Sequence, residues 1–409
     1  MSRLRFGAFL APHHPLGEHP SLLLQRDLEL AATLDKLGYD EFWVGEHHSS
    51  GWEMIASPEL FLAAAGERTQ RIKLGTGVVS LPYHHPFNVC QRMVQLDHMT
   101  GGRVIFGTGP GALPSDARTH GIAPNLLRDR QDEGIGVCIR LLSGERFTYH
   151  SDWFELNDAA LQILPLQETM PMAVASSISP SGMTLAGKYG IGVLSIASTS
   201  TEGLMALPTQ WGFAEQAALD HGQVVNRADW RVLMAWHIAE TKDRAIEEAA
   251  LGLQRWHNEY NVKVLGRPGA EFMPDAYEMA SAIANGGAAQ GAGTGIIGTP
   301  DDAIAAIRSL HETVGGFGCV LGFAHDWANR EATLRSWDLF ARYVIPEING
   351  YLRPLRDSAD YVGTNKGELM AGAVGAIMEA IGKHDGARKA AEDTARLMAN
   401  AGPPSPVRD

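Results

Sequence analysis

An α/β protein built as a (β/α)8 TIM barrel, with long loop insertions and a C-terminal helical tail, is the fold this sequence predicts. Three observations predict it. Eight short apolar runs alternate with longer amphipathic ones, the pattern of parallel βαβ units. The joins carry the glycines, prolines and capping residues that end strands and start helices. Ionisable residues gather where the apolar runs stop, as at Glu46-His47-His48 after Phe42-Trp43-Val44. The carboxyl ends of barrel strands are where chemistry is placed, because the loops there converge on one cavity.

The expected strands are Leu4–Ala11, Glu41–Gly45, Lys73–Leu81, Val104–Gly107, Met172–Ala175, Gly192–Ile196, Arg231–Ala239 and Cys319–Phe323. The expected helices between them include Leu22–Leu37, Pro58–Arg68, Asn88–Met99, Leu127–Leu142, Glu202–His221, Lys242–Glu259 and Asp301–Val314. Thr299-Pro300-Asp301-Asp302 places a capping hydroxyl, a first-turn proline and early acids before the last of these. Residues 108–126, 143–171 and 262–298 are long connections. The third is rich in glycine and reads as a mobile lid. The barrel closes near Ile348. Residues 351–409 form a separate extension, alanine-rich and helical over Gly363–Asn400, ending in Pro403-Pro404-Ser405-Pro406.

The 409 residues are 45% hydrophobic and 20% charged, enough apolar content for a sizeable core. A formal net charge of −13 argues against nucleic acid or anionic membrane as a partner. Cys90, Cys138 and Cys319 lie far apart and follow no metal spacing, so they read as reduced, buried thiols of a cytoplasmic protein. No stretch approaches the roughly 18 apolar residues of a membrane span.

His47 is a candidate general acid or base, the alternative being a histidine that merely supports a loop start. Leu81-Pro82-Tyr83-His84-His85-Pro86 brings further imidazoles to the same rim. A metal centre fits poorly. Strand ligands aimed at one ion stand at i and i+2, whereas the pairs His13-His14, His47-His48 and His84-His85 are adjacent. Phe106-Gly107-Thr108-Gly109-Pro110-Gly111 is either a tight turn or backbone brought close to a planar ligand, and its glycines do not fit the dinucleotide fingerprint. Ser176-Ser177-Ile178-Ser179-Pro180-Ser181 opens a helix, either as a cap or as an anion site.

Together these segments resemble the bacterial luciferase-like flavin-dependent monooxygenases over residues 3–350. The match rests on Gly38-Tyr39-Asp40 through Trp43–His48, Gly75-Thr76-Gly77-Val78 through His85-Pro86, Leu96-Asp97 through Gly109, and the serine cluster. Gly109–Asp116 and Leu321–Trp327 resemble the limonene monooxygenase branch. The resemblance implies reduced FMN at the barrel mouth, supplied by a separate NAD(P)H-dependent flavin reductase. O2 would be the co-substrate, activated as a flavin C4a-hydroperoxide, and a small apolar, terpenoid-like substrate would be epoxidised or hydroxylated. Baeyer–Villiger oxygenation of a cyclic ketone, an F420-dependent oxidoreductase and a non-catalytic flavin-binding protein are the alternatives.

His47 would lie against the flavin as the catalytic residue, and Thr76, Gly77, Val78, Thr108 and Gly109 would contact it, with a cis peptide at Gly77–Val78. Luciferase's phosphate-binding arginine is replaced here by Pro110 and its reactive cysteine by Gly109. Ser176, Ser177 and Ser181 therefore become the expected phosphate ligands, helped by a charge elsewhere, and light emission is not implied. Trp52, Met54, Ile55, Phe61, His84, His325 and the 262–298 segment would form the substrate pocket, the alternative being that several of these residues are ordinary core. A homodimer or higher homo-oligomer is expected.

Overall fold

Eight parallel strands meet edge to edge and close on themselves in a computed structural model that describes residues 3–11, 13–196, 200–267, 269–286 and 294–400. They are β1 (Arg5–Leu10), β2 (Glu41–Val44), β3 (Lys73–Thr76), β4 (Val104–Gly109), β5 (Met172–Ser176), β6 (Gly192–Ser195), β7 (Trp230–Met234) and β8 (Cys319–Ala324). Each pairs in parallel with the next, and β8 returns to β1 with Arg5 beside Cys319 and Leu10 beside Ala324. All eight expected strands are present, with helices between them, as the (β/α)8 reading requires.

Alternation along each strand sorts side chains between two cores. On β2, Phe42 and Val44 face outward and pack with Leu28, Ala31 and Leu34 of the helix Pro20–Leu37. Trp43 faces inward with Phe9, Ile105, Ala173, Leu194, Leu233 and Leu321. Glu41, two residues before Trp43, shares that inner face. It pairs with Arg231 of β7 at 2.6 Å and accepts the Trp43 indole N–H at 2.8 Å. The Arg231 guanidinium lies over the Trp43 ring, 5.0 Å from its centroid. Gly75 and Gly107 leave room for that indole, since a Cβ on Gly75 would overlap it and one on Gly107 would strike the Thr76 carbonyl.

Two strands depart from the sequence reading. Lys73–Leu81 is interrupted at Gly77–Val78, whose peptide is cis, before pairing resumes at Val79–Ser80. Arg231–Ala239 divides at Ala235. Its second half, Trp236–Ile238, leaves the barrel to pair with Ile296–Gly298. Trp236 there stacks on Phe340 at 4.1 Å and sits against Gly322, where a Cβ would overlap it.

The long connections carry structure. Residues 143–171 include an antiparallel hairpin, Phe147–His150 with Glu155–Ala159. Residues 108–126 include the short helix Pro114–Thr119. In the segment expected as a lid, the helix Ala276–Ala284 buries Met279, Ala280 and Ile283, while residues 268 and 287–293 lie outside the described residues. The helix expected over Lys242–Glu259 is α-helical to Arg255 and then widens into a π-helix, Trp256–Val264. Cys90, Cys138 and Cys319 are buried and unpaired. Among the described residues no helix is long and apolar enough to cross a membrane.

Contacts divide the chain into Met1–Asn349 and Gly350–Asp409. The second unit consists of the helices Arg353–Gly382 and Asp385–Asn400, and no described residue in it is buried. Pro403–Pro406 lies outside the described residues.

The lumen pair yields a stability prediction. Burial would push the Glu41 carboxyl up, but Arg231 holds it below its ordinary value. Arg231→Met therefore leaves the buried carboxylate with only the Trp43 N–H and the more distant Arg5 at 3.5 Å among the described residues, and is expected to cost about 3 kcal/mol. Urea denaturation at pH 7 measures this, and a loss below about 1 kcal/mol would contradict it.

Candidate active site

The inward-facing residues end at the carboxyl ends of the strands, and above them opens a cavity of about 400 Å³. Phe9, Val78, Leu233 and Phe323 come up from the strands, and Trp256, Tyr260 and Trp327 close in from the loops after β7 and β8. Another part of the lining is polar, with His13, Glu46, His47 and Glu53, and it meets the aromatic part where His13 packs on Tyr260 and Phe323.

The loop after β2 builds that polar wall. Gly45 N–H still bonds the Leu10 carbonyl, and His47 N–H reaches the Ile55 carbonyl, so Glu46-His47-His48 leaves the sheet in fixed register. Glu46 is buried. Its Oε1 accepts from His48 Nε2 and His84 Nε2, each at 2.8 Å, and its Oε2 accepts the Ser80 N–H at 3.0 Å. Burial alone would raise its pKa, but these donors, with the charge of His84, bring it down to about 2. Glu46 thus ties the end of β2 to the end of β3.

His47 is clamped between two carboxylates. Its Nδ1 lies 3.1 Å from Asp116 Oδ2 and its Nε2 lies 3.3 Å from Glu53 Oε1. Carboxylates only accept, so this geometry favours a proton on each ring nitrogen. Burial opposes the charge, but the Asp116 hydrogen bond and the charges of Glu53 and Asp116 outweigh it and raise the pKa. A bond from His47 to a ligand would replace one of these. Asp116 also accepts from His48 N–H and from the Ser49 hydroxyl.

Glu53 is shared three ways. Oε1 faces His13 Nε2 at 3.0 Å as well as His47, and Oε2 accepts the Tyr260 hydroxyl at 2.5 Å. Burial would push Glu53 up, but His13, His47 and Tyr260 hold it low, as a carboxylate. His13 goes the other way: burial dominates and lowers its pKa, so it is neutral.

Of the residues singled out from the sequence, His47, Gly77, Val78 and Ser177 line the cavity. Ser176 and Thr108 are buried at the same strand ends, and their hydroxyls have no partner among the described residues. Ser181 begins the helix Ser181–Tyr189 and its hydroxyl lies 2.9 Å from that of Ser179. Gly109 packs on Val78, where a Cβ would overlap. Thr76 is a staple: its hydroxyl donates to the Gly107 carbonyl and accepts the Gly107 N–H, at 2.8 and 2.9 Å.

The expected substrate pocket is not assembled as read. Trp52 is buried behind Tyr260, 5.4 Å between ring centroids. Phe61 and Ile55 belong to the outer core, and Met54 is not part of the cavity lining. His84 is held on Glu46. His325 is buried, stacked on Trp327 at 3.8 Å, with burial driving its pKa down to about 3. The walls come instead from residues not picked out beforehand, namely His13, Glu53, Trp256, Tyr260 and Trp327. Arg267 is the one arginine or lysine among the described lining residues. A signal existed for two of them, in the pair His13-His14 and in the acid of Trp52-Glu53. Tyr260 carried none, because a π-helical turn aims it, whereas Arg267 and Thr294 belong to the 262–298 segment expected to join the pocket.

Glu46 makes the wall sensitive to acid. A carboxyl depressed from 4.5 to about 2 contributes stability that is full above pH 4.5 and is lost as pH falls toward 2. Glu46→Gln is expected to cost about 3 kcal/mol at pH 7, with the gap to wild type narrowing between pH 5 and pH 3. Denaturant titrations across that range check it, and a gap independent of pH would refute the assignment.

The luciferase-like monooxygenase family model matches residues 4–315. The chain is 48% identical over 366 residues to 4-hydroxyprotoasukamycin monooxygenase of Streptomyces nodosus subsp. asukaensis, covering 88% of this chain and 97% of the relative. It is 46% identical over 352 residues to limonene 1,2-monooxygenase of Rhodococcus erythropolis, covering 86% and 88%. Among solved structures, the oxygenating constituent of 3,6-diketocamphane monooxygenase from Pseudomonas putida, in complex with FMN, superposes with a TM-score of 0.72 at 24% identity, covering 85% and 99%. An F420-dependent secondary alcohol dehydrogenase superposes with a TM-score of 0.63 at 20% identity, covering 85% and 99%. The two solved structures share the fold.

Proposed function

The chain belongs to the luciferase-like monooxygenase family, and from that premise we propose a two-component monooxygenase that oxygenates a small, largely apolar substrate of terpenoid type. It takes reduced FMN from a separate NAD(P)H-dependent reductase and uses O2 as co-substrate. The observation that carries this reading is the mixed lining of the cavity, which holds a doubly clamped imidazole together with aromatic residues.

The residues present fit a flavin mononucleotide. Gly77 and Val78 offer an apolar platform beside the polar wall, and Gly109 lets the strand ends pack closely beneath it. Ser177 in the lining suits a polar or phosphate end near the start of the helix Ser181–Tyr189, while the unpartnered hydroxyls of Thr108 and Ser176 are buried outside the lining. Reduced flavin, when bound, supplies the electrons that activate O2.

The remaining work belongs to the chain. His47 holds a proton on each ring nitrogen and presents a positive charge at the mouth, where developing negative charge is favoured. Glu53 and Asp116 keep its ring in place. Trp256, Trp327 and Phe323 exclude water and bind an apolar substrate by burial. The two relatives act, by their names, on limonene and on 4-hydroxyprotoasukamycin, and with the aromatic lining the first of these supports a small, largely apolar substrate.

Anaerobic titration with FMNH2, and separately with reduced F420, followed by aerated buffer containing limonene, tests the proposal. Tight FMNH2 binding and an oxygenated product are expected. Preferential F420 binding without O2 consumption would overturn it. In His47→Ala, product formed per FMNH2 should fall at least about 100-fold while FMNH2 affinity changes little. An unchanged yield would remove His47 from the chemistry.

A further inference from the structure

His13 is neutral, buried and part of the cavity lining. Its Nε2 lies 3.0 Å from a Glu53 oxygen that can only accept, so Nε2 carries the proton. The other nitrogen, Nδ1, is then a lone pair; it is itself buried, so a ligand must displace neighbouring side chains to reach it, and it has no hydrogen-bond partner among the described residues. The ionisable groups around it are engaged or only donate, save for a second lone pair on Oε2 of Glu53 and of Glu46. Both His47 nitrogens face carboxylates, each oxygen of Glu53 and Glu46 already takes a donor, Tyr260 spends its hydroxyl proton on Glu53, and Arg267 only donates. The His13 ring is set among aromatic residues, 4.7 Å from Tyr260, 5.3 Å from Phe323 and 6.1 Å from Trp256 between centroids.

We propose that His13 is a specificity-determining residue whose Nδ1 accepts a hydrogen bond from a hydroxyl group of the substrate, so that the preferred substrate is an apolar body bearing an alcohol, enol or phenol rather than a bare hydrocarbon. An acceptor left unpaired in an apolar setting is costly, and a ligand hydroxyl repays that cost where a hydrocarbon cannot. Glu53 behind His13 fixes the tautomer, as a carboxylate does for an imidazole whose second nitrogen meets a ligand. This inference deepens the monooxygenase reading and rests on it for the word substrate, but the recognition itself is a binding property.

The test is calorimetric binding of 4-isopropylphenol and isopropylbenzene to the full-length chain, with and without added FMN. Wild type is expected to prefer the phenol by about tenfold. The preference should fall to within about twofold in His13→Phe, and His13→Gln, which keeps an acceptor, should restore part of it. In wild type the His13 Nδ1 nitrogen resonance should also move when the phenol binds and stay in place with isopropylbenzene, a readout that needs no variant to fold. Equal binding of the two probes, a preference that survives in His13→Phe, or an Nδ1 resonance the phenol leaves unmoved would each overturn the proposal. A preference seen without FMN, in a protein that forms no oxygenated product, would sustain this inference while the monooxygenase reading failed.

Discussion

The mouth of the barrel stands on a single buried assembly. Trp43 fills the lumen, Glu41 and Arg231 pair beneath it, and Gly75 and Gly107 give up their side chains so that the indole fits. A buried ion pair is seldom a source of net stability, because desolvation offsets most of the attraction. Its effect here is registry. Glu41 is on β2 and Arg231 on β7, so the pair spans the lumen and fixes how β2 stands in the barrel. The next inward positions carry the loop that begins with Gly45 and Glu46.

From that footing the polar wall follows by short steps. Glu46 gathers His48, His84 and the Ser80 amide, binding the β2 loop to the end of β3. His47 is turned away from Glu46 toward Glu53 and Asp116. Adjacent residues thus divide the labour. One carboxylate organises the loop, and the next residue presents a charged ring to the cavity. A helix that widens after Arg255 continues the lining, so that Tyr260 reaches Glu53 while Trp256 joins the aromatic residues. A wide turn at such a point commonly marks a functional position.

A ligand in this cavity meets two environments. The aromatic side rewards apolar area. The polar side is rich in carboxylates, each engaged by imidazole, phenol, hydroxyl or amide donors, and it holds a buried His13 nitrogen with no partner among the described residues. Such a wall discriminates by hydrogen-bond pattern more sharply than by size.

Much of this was legible in the sequence. The barrel, its eight strands and the placing of His47 on the mouth follow from local pattern, because period-two alternation and strand-end residues are properties of contiguous segments, and the segments Trp43–His48 and Gly75–Val78 carried the family resemblance. The partners of His47 are not contiguous. Asp116 lies 69 positions away, and Glu53 meets His13 and Tyr260 only because three loops converge. For the same reason Phe61 and Trp52, plausible pocket residues by type, turn out to be buried in packing, while Tyr260 enters through a π turn that no local pattern announces. Local spacing determined which residues reach the rim. Which of them touch, and so which carry charge and which keep a free lone pair, was decided by the closure of the barrel, since a proton's position depends on partners that only the tertiary structure brings within 3 Å or so.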